Sequence, residues 1–504
     1  MKLALPPPRR PVRAASLVSS VQVVRTSIRG FIRWFLLLLA LFTPTLVAAE
    51  ESASLPASIQ QAANTAGLLA DDFGVFVQDP ATGRVALASG ADRALNPAST
   101  MKLLTTYAGL ELIGPAFTWK TQAWADGTLQ GEALIGNLVL KGSGDPKLTL
   151  ENLWLLLRGL RNRGLKDIRG DLVLDRRAFE QQDADPARFD GDATRAYNVL
   201  PDALLVNFKA LRVQLIPDLD KRTVKLLVEP PLRGVEVENR ITVTNGTCGD
   251  WRTLVGSQLQ DDGTTARVSF RGNFSLSCGE RTFYLSALRA LPYTGALFRH
   301  LWEELGGTLT GSVRDGTAGP RARLLFTWES PQLAEVVRDI NKFSNNVMAR
   351  QLFLTIGAET LGTPATLEKS SLAIREWLAR KGLVFPELVL ENGSGLSRVE
   401  RISARHLGEL LTSAYNSPVM PELIASLPLV AVDGTMRKRL KEAGLAGQAH
   451  MKSGSLDGVK SVAGYVLDAK GRRMVVVCIG NHSRASASVE VLQDAVLQWV
   501  YQRP

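Results

Sequence analysis

Three short stretches carry residue types that together could run acyl transfer. Ser99-Thr100-Met101-Lys102 sets a hydroxyl and an amine three positions apart. On a helix that spacing puts both on one face, so the Lys102 amine, when neutral, can take the Ser99 proton and leave an oxygen nucleophile. A helix N-terminus would also favour negative charge developing near Ser99. Ser344-Asn345-Asn346 adds a second hydroxyl, able to relay protons with Lys102, and at Asn346 an amide able to hold a peptide backbone. Lys452-Ser453-Gly454-Ser455 offers a cation and a hydroxyl suited to a carboxylate, with Gly454 permitting close approach of a substrate backbone. Each stretch has an ordinary alternative. S-x-x-K arises by chance on solvated helices, S-x-N is a helix cap, and KSGS is a basic turn. Three in one order, each in a suitable local context, are a far stronger signal than any one.

These residues need elements to hold them. Asn96-Pro97 predicts a helix start, with Asn96 as N-cap and Pro97 at the first helical position, running through MKLLTTYAGLELIG to a stop at Gly114-Pro115. Upstream, DDFGVFVQDPATGRVALAS predicts two strands joined by a turn at 79–83. From about 119 to 285 the short apolar runs NLVLKG, DLVLD, VKLLVE and ITVTN are punctuated by Gly, Pro and Asp. With one helical segment at 150–164, they predict a mainly β insertion. Helical periodicity returns over 293–305, 331–340, 345–355 and 366–381. Strands are predicted for SVAGYVLD, which KSGS precedes, and for RMVVVCIG. A final helix over 486–501 sets Val489, Leu492, Val496 and Trp499 on one face as a packing stripe.

A chain of 504 residues with 45% hydrophobic and 21% charged residues is expected to form two or more domains and excludes whole-chain disorder. The net charge of +10 invites a nucleic-acid or anionic-membrane reading, but residues 1–49 hold seven basic and no acidic side chains. Beyond them the excess is only +3. The basic stretch followed by WFLLLLALFTPTLVAA predicts a cleavable secretory signal peptide over 1–49 and export to the periplasm; an uncleaved anchor is the alternative. Export would allow a disulfide between Cys248 and Cys278, the other option being two free thiols, whereas Cys478, inside MVVVCI, reads as a core thiol. Four scattered histidines, without CxxC, HExxH or GxSxG, give no support for a metal or a Ser-His-Asp triad, and no cofactor is expected.

With KGSGDPKLT (141–149), NGSGLSR (392–398) and VDGTMRKRL (432–440) added to the three motifs, the mature chain resembles the penicillin-recognising serine hydrolases. Among them it is most similar to the class C low-molecular-mass penicillin-binding proteins, the D-Ala-D-Ala carboxypeptidase/endopeptidase family. The resemblance implies an α/β (α+β) penicillin-binding, serine β-lactamase-like transpeptidase fold. Its catalytic domain would be discontinuous, 50–118 and 286–504, with 119–285 as an inserted domain II carrying a smaller nested domain III. It further implies Ser99 as acylated nucleophile, Lys102 as its base, Ser344 and Asn346 as the facing wall, and Lys452 as part of the proton network and carboxylate site. Ser453, Gly454 and Ser455 would line the substrate, with the N–H groups of Ser99 and Ser455 as oxyanion hole. Peptidoglycan stem peptides would be the substrates and β-lactams the covalent inhibitors. Arg398 is a candidate contact for the stem peptide, and Asp192 a candidate for its diaminopimelate amine. The chain departs from the family pattern in having KSGS for the usual KTGT and Asn392 where Asp is common. A β-lactamase and a catalytically idle wall-binding protein are the alternatives; the complete motif set weighs against the second.

Overall fold

The computed structural model describes residues 55–181, 184–441 and 444–503. The expected signal peptide, 1–49, lies outside them; no helix among the described residues is long and apolar enough to cross a membrane.

The first sheet has five antiparallel strands in the order Ala449–Leu456, Val459–Leu467, Arg473–Asn481, Phe73–Gln78, Val85–Ser89. The run MVVVCIG is apolar at every position because both faces of its strand are covered. Val475, Val477 and Ile479 face a core shared with the helices Lys102–Leu112 and Ala404–Tyr415, while Met474, Val476 and Cys478 face the terminal helices Ala57–Thr65 and Ala485–Gln502. Alternation disappears from the sequence when both faces are buried. The hairpin at 73–89 and the helices expected over 331–340, 345–355, 366–381 and 486–501 are present as Leu333–Phe343, Asn346–Leu361, Leu367–Arg380 and Ala485–Gln502.

The second sheet has seven strands, and the boundary drawn at 285 falls inside its packing unit. Lys120–Gln130 and Ala133–Lys141 form a hairpin at its centre, and Arg323–Glu329 pairs with the first of them. Asp167–Arg169 and Leu172–Asp175 run parallel to the second and pair in turn with Thr308–Leu309 and Val313–Asp315. Helix Ala290–Glu304 buries Leu297, Phe298, Leu301 and Trp302 in the same core as Leu153, Leu156, Leu157 and Leu160 of Leu150–Arg161. By packing, the inserted layer therefore continues to residue 329. Parallel pairings between segments more than a hundred residues apart leave no mark on local periodicity, which is why the pattern of 119–285 alone did not carry the boundary this far. Two three-stranded sheets extend the layer. One orders Arg281–Leu285, Leu211–Asp218 and Thr223–Glu229, the other Val255–Asp261, Ala266–Ser275 and Val235–Thr244. Beside the second, Cys248 and Cys278 are bonded, S–S 2.12 Å; Cys478 is free and buried.

The KGSGDPKLT turn ties the insertion to the helices that flank the site. Gln351 Nε2 donates to Gly144 O (3.2 Å) and Asp202 O (2.9 Å), and Lys147 pairs with Asp339 of Leu333–Phe343 at 2.7 Å. Gly142 is required here, since a Cβ would stand 2.1 Å from Ala203 O.

Candidate active site

The first motif lies one turn earlier than an ordinary helix start. The expected cap is displaced by one residue: Pro97, not Asn96, is the N-cap and makes no side-chain cap bond. Asn96 Oδ1 accepts from Ala98 N–H at 2.9 Å in a local turn, Ala98–Met101 is a 3₁₀ turn and the α-helix begins at Lys102. Ala98 has φ +46°, a left-handed conformation costly for a residue with a Cβ. Two neighbours hold it there. Gly395, in the NGSGLSR loop, approaches so closely that a Cβ would lie 1.9 Å from Ala98 O; at Gly454 a Cβ would lie 2.9 Å from Ser99 N and 2.8 Å from Pro97 O. Gly454 therefore makes room for the nucleophile's own turn and for Ser461 Oγ, which would lie 2.2 Å from a Cβ there. KSGS is no basic turn: it lies within the edge strand Ala449–Leu456.

The second motif is a junction of two helices. Leu333–Phe343 ends at Ser344, left-handed with φ +55°, and Asn345 caps Asn346–Leu361 through Oδ1 accepting from Met348 N–H at 3.0 Å. The cap reading thus holds for Asn345, and the same turn aims Ser344 and Asn346 at the two lysines.

Lys102 Nζ lies 2.9 Å from Ser99 Oγ and 2.6 Å from Asn346 Oδ1, and it also meets Ser394 O of the NGSGLSR loop. Lys452 Nζ lies 2.9 Å from Ser344 Oγ and donates to Ser453 O at 2.6 Å. The hydroxyl of Ser344 is therefore partnered with Lys452, while Asn346 holds Lys102. Both lysines are fully buried. Burial, and then the nearby Lys452 cation, push the Lys102 amine well below its usual basicity, opposed by Glu400 and assisted by Arg350. Burial alone brings Lys452 down to about 7.

Glu400 belongs to this site without any mark in the sequence motifs. It is fully buried, and its Oε1 accepts from the backbone N–H groups of Glu391 (3.1 Å), Asn392 (2.9 Å) and Gly393 (3.1 Å). Those bonds fix the loop whose next residue gives its carbonyl to Lys102. Burial raises its pKa, the three donors opposing. A lone Glu between Val399 and Arg401 carries no sequence pattern that marks it as buried. Asn392 shapes the same loop, with Oδ1 accepting from Ser394 N–H (3.0 Å) and Oγ–H (2.6 Å) and Nδ2 donating to Leu396 O (3.0 Å). A carboxylate there would lose that last bond.

Arg398 stacks over Phe189 at 4.8 Å, donates to Asp457 O at 2.9 Å, and with Asn198, Arg350 and Asn392 lines a cavity of about 300 Å³. Asp192 sits three residues beyond Phe189, but its carboxylate is engaged by its own loop, accepting from Thr194 N–H (2.9 Å) and Oγ–H (2.6 Å) and from Arg195 Nε (2.9 Å). Ser455 is exposed on the edge strand.

The profile of the D-Ala-D-Ala carboxypeptidase 3 (S13) family matches residues 55–502. The chain belongs to this family. Membership in S13 makes it a member of a serine peptidase family. It is 29% identical over 441 residues to the D-alanyl-D-alanine carboxypeptidase of Actinomadura sp. (strain R39), covering 84% of this chain and 80% of that one. It is 25% identical over 382 residues to the D-alanyl-D-alanine carboxypeptidase DacB of Haemophilus influenzae, covering 75% and 79%. The fold is that of penicillin binding protein 4 from H. influenzae, with a TM-score of 0.73 at 23% identity over 86% of this chain and 96% of that structure.

Proposed function

We propose that this S13 member is an exported serine D-Ala-D-Ala carboxypeptidase that acts on peptidoglycan stem peptides through an acyl-enzyme on Ser99. The observation that carries the reading is the environment of Lys102 Nζ. A neutral amine has two N–H donors and one lone pair. Asn346 Oδ1 and Ser394 O take the two donors, which leaves the lone pair for the Ser99 O–H at 2.9 Å. Burial, by lowering the amine's basicity, favours that neutral form.

The steps follow. Ser99 Oγ attacks the carbonyl of the penultimate D-Ala as its proton passes to Lys102. Negative charge grows on the carbonyl oxygen, within reach of the Ser99 and Ser455 N–H groups; each such donor typically contributes ~3–4 kcal/mol. The C–N bond then breaks, and the departing amine of the terminal D-Ala takes the proton that Lys102 received from Ser99, relayed by Ser344 beside Lys452, 2.9 Å away, so that Lys102 is neutral again. Water attacks the Ser99 ester, giving up its proton to Lys102, which returns it to Ser99 Oγ as the ester bond breaks, and the shortened peptide leaves as a carboxylate. Ser453 and Lys452 receive the terminal carboxylate of the substrate. A β-lactam, whose amide mimics the scissile bond, acylates Ser99 in the same way, and a cross-linked peptide offers the same D-Ala carbonyl, so endopeptidase activity uses the same residues. Arg398 and the cavity beside it contact the stem; Asp192 recognises its amine only if Arg195 yields. The names of the Actinomadura and Haemophilus relatives support the carboxypeptidase reading.

Purified pentapeptide and cross-linked muropeptides test this. Loss of terminal D-Ala is expected. No change in either substrate contradicts the proposal.

A further inference from the structure

The VDGTMRKRL stretch has no part in the steps above, yet it stands against two of the catalytic walls. Asp433 Oδ2 pairs with Lys342 Nζ at 2.6 Å, two residues before Ser344, and its Oδ1 accepts from Leu429 N–H at 2.7 Å. Gly434, at φ +55°, lies so near that a Cβ would stand 2.6 Å from Lys342 O. The segment before it hydrogen-bonds along the start of the KSGS edge strand, Val430 N–H to Ala449 O at 3.0 Å and Met451 N–H to Pro428 O at 2.8 Å. Mounted this way, Thr435 sets its hydroxyl 2.6 Å from Ser453 Oγ. Thr435 is exposed and Ser453 half-buried, so the pair faces open cleft.

We propose that Thr435 is a positioning residue for recognition of the substrate's terminal carboxylate, acting by fixing the direction of the Ser453 O–H. The inference rests on the proposed role of Ser453. A serine hydroxyl is a free rotor with one proton and two lone pairs. If the Thr435 O–H donates to one lone pair of Ser453 Oγ, the Ser453 proton is turned away from Thr435 and toward the cleft, where a carboxylate accepts it. The usual KTGT pattern puts a β-branched residue at this position, whose methyl restricts χ1. Ser453 lacks that methyl, and the hydrogen bond from Thr435 supplies an equivalent restraint. The brace also fixes spacing, because one short loop is bonded both to the helix leading into Ser344 and to the strand bearing Lys452.

The test compares two substrates, a diacyl-Lys-D-Ala-D-Ala tripeptide and the same peptide with its C-terminus amidated, on wild type, Thr435→Val and Thr435→Ser. Thr435→Val keeps the shape and removes the hydroxyl. The expected result is a roughly three- to tenfold rise in KM for the free acid, the usual weight of one hydrogen bond, with kcat changed less than twofold. The amide should show no such penalty, and Thr435→Ser should restore the wild-type KM. In a Ser453→Ala background the Thr435→Val effect should vanish. An unchanged KM in Thr435→Val, an equal rise on the amide, or failure of Thr435→Ser to restore binding overturns the inference while leaving the proposed function standing. A wild-type protein that cleaves neither substrate overturns the proposed function and this inference with it.

Discussion

The catalytic core and the inserted sheets handle charge in opposite ways. Beneath the motifs Lys102, Lys452 and Glu400 are fully buried, and Arg350 nearly so, within reach of one another's fields. In the insertion the ion pairs lie on the surface, as in Arg267–Glu236 and Arg233–Glu303, where every partner is at least 44% exposed. Exceptions cluster toward the junction, where Arg176, only 9% exposed, holds Asp202 and Asp315, and where Lys147 and Asp339 are 23% and 20% exposed. Buried charges are costly to desolvate and exposed pairs contribute little. The core thus sacrifices stability to hold a lysine at the wrong basicity, whereas the insertion depends on its apolar layer and the Cys248–Cys278 bond.

That contrast can be broken from either side. Lys102→Met should reduce acylation by about three orders of magnitude or more, measured as the rate of penicillin labelling, while the unfolding midpoint stays level or rises. A lower midpoint with labelling retained would reverse the assignment. Replacing Cys248 and Cys278 by Ser should do the opposite, destabilising by about 2–4 kcal/mol in thermal unfolding and leaving kcat intact below the transition.

Glu400→Gln keeps an acceptor for the three N–H groups and removes the charge. In the proposed mechanism acylation needs Lys102 neutral, so kcat/KM is expected to rise with pH through the Lys102 pKa. The Glu400 charge favours the ammonium against Lys452 and Arg350, so its loss lets the amine shed its proton sooner. The acid limb should therefore move to lower pH; a limb that stays put or moves up contradicts the role given to Glu400. Smallest of all, Arg267→Ala, on an exposed pair, should leave both the unfolding midpoint and kcat unchanged within error.

Much of this was readable from residue types. Ser99, Lys102, Ser344, Asn346 and Lys452 lie together as the resemblance implied, although Ser344 Oγ meets Lys452 and Lys102 meets Asn346. What was not readable depends on distant partners. KSGS did not read as a strand because Lys, Ser and Gly are poor strand formers, and pairing with Val459–Leu467 decides the matter. Gly454 and Gly395 are glycines on account of Ala98 and Ser99, hundreds of residues away. Glu400 is buried by a loop that it organises itself. The helix Ala404–Tyr415 is not among the elements the sequence pattern predicts, although Ser403 Oγ caps it in an ordinary way, accepting from His406 N–H at 3.1 Å.

The central claim is that Ser99 becomes covalently acylated, and intact-protein mass after incubation with penicillin tests it most directly. The account predicts one added penicilloyl group on the wild-type protein, mapped to the peptide bearing Ser99, and none on Ser99→Ala. An adduct that persists on Ser99→Ala, or that maps to another peptide, would contradict it.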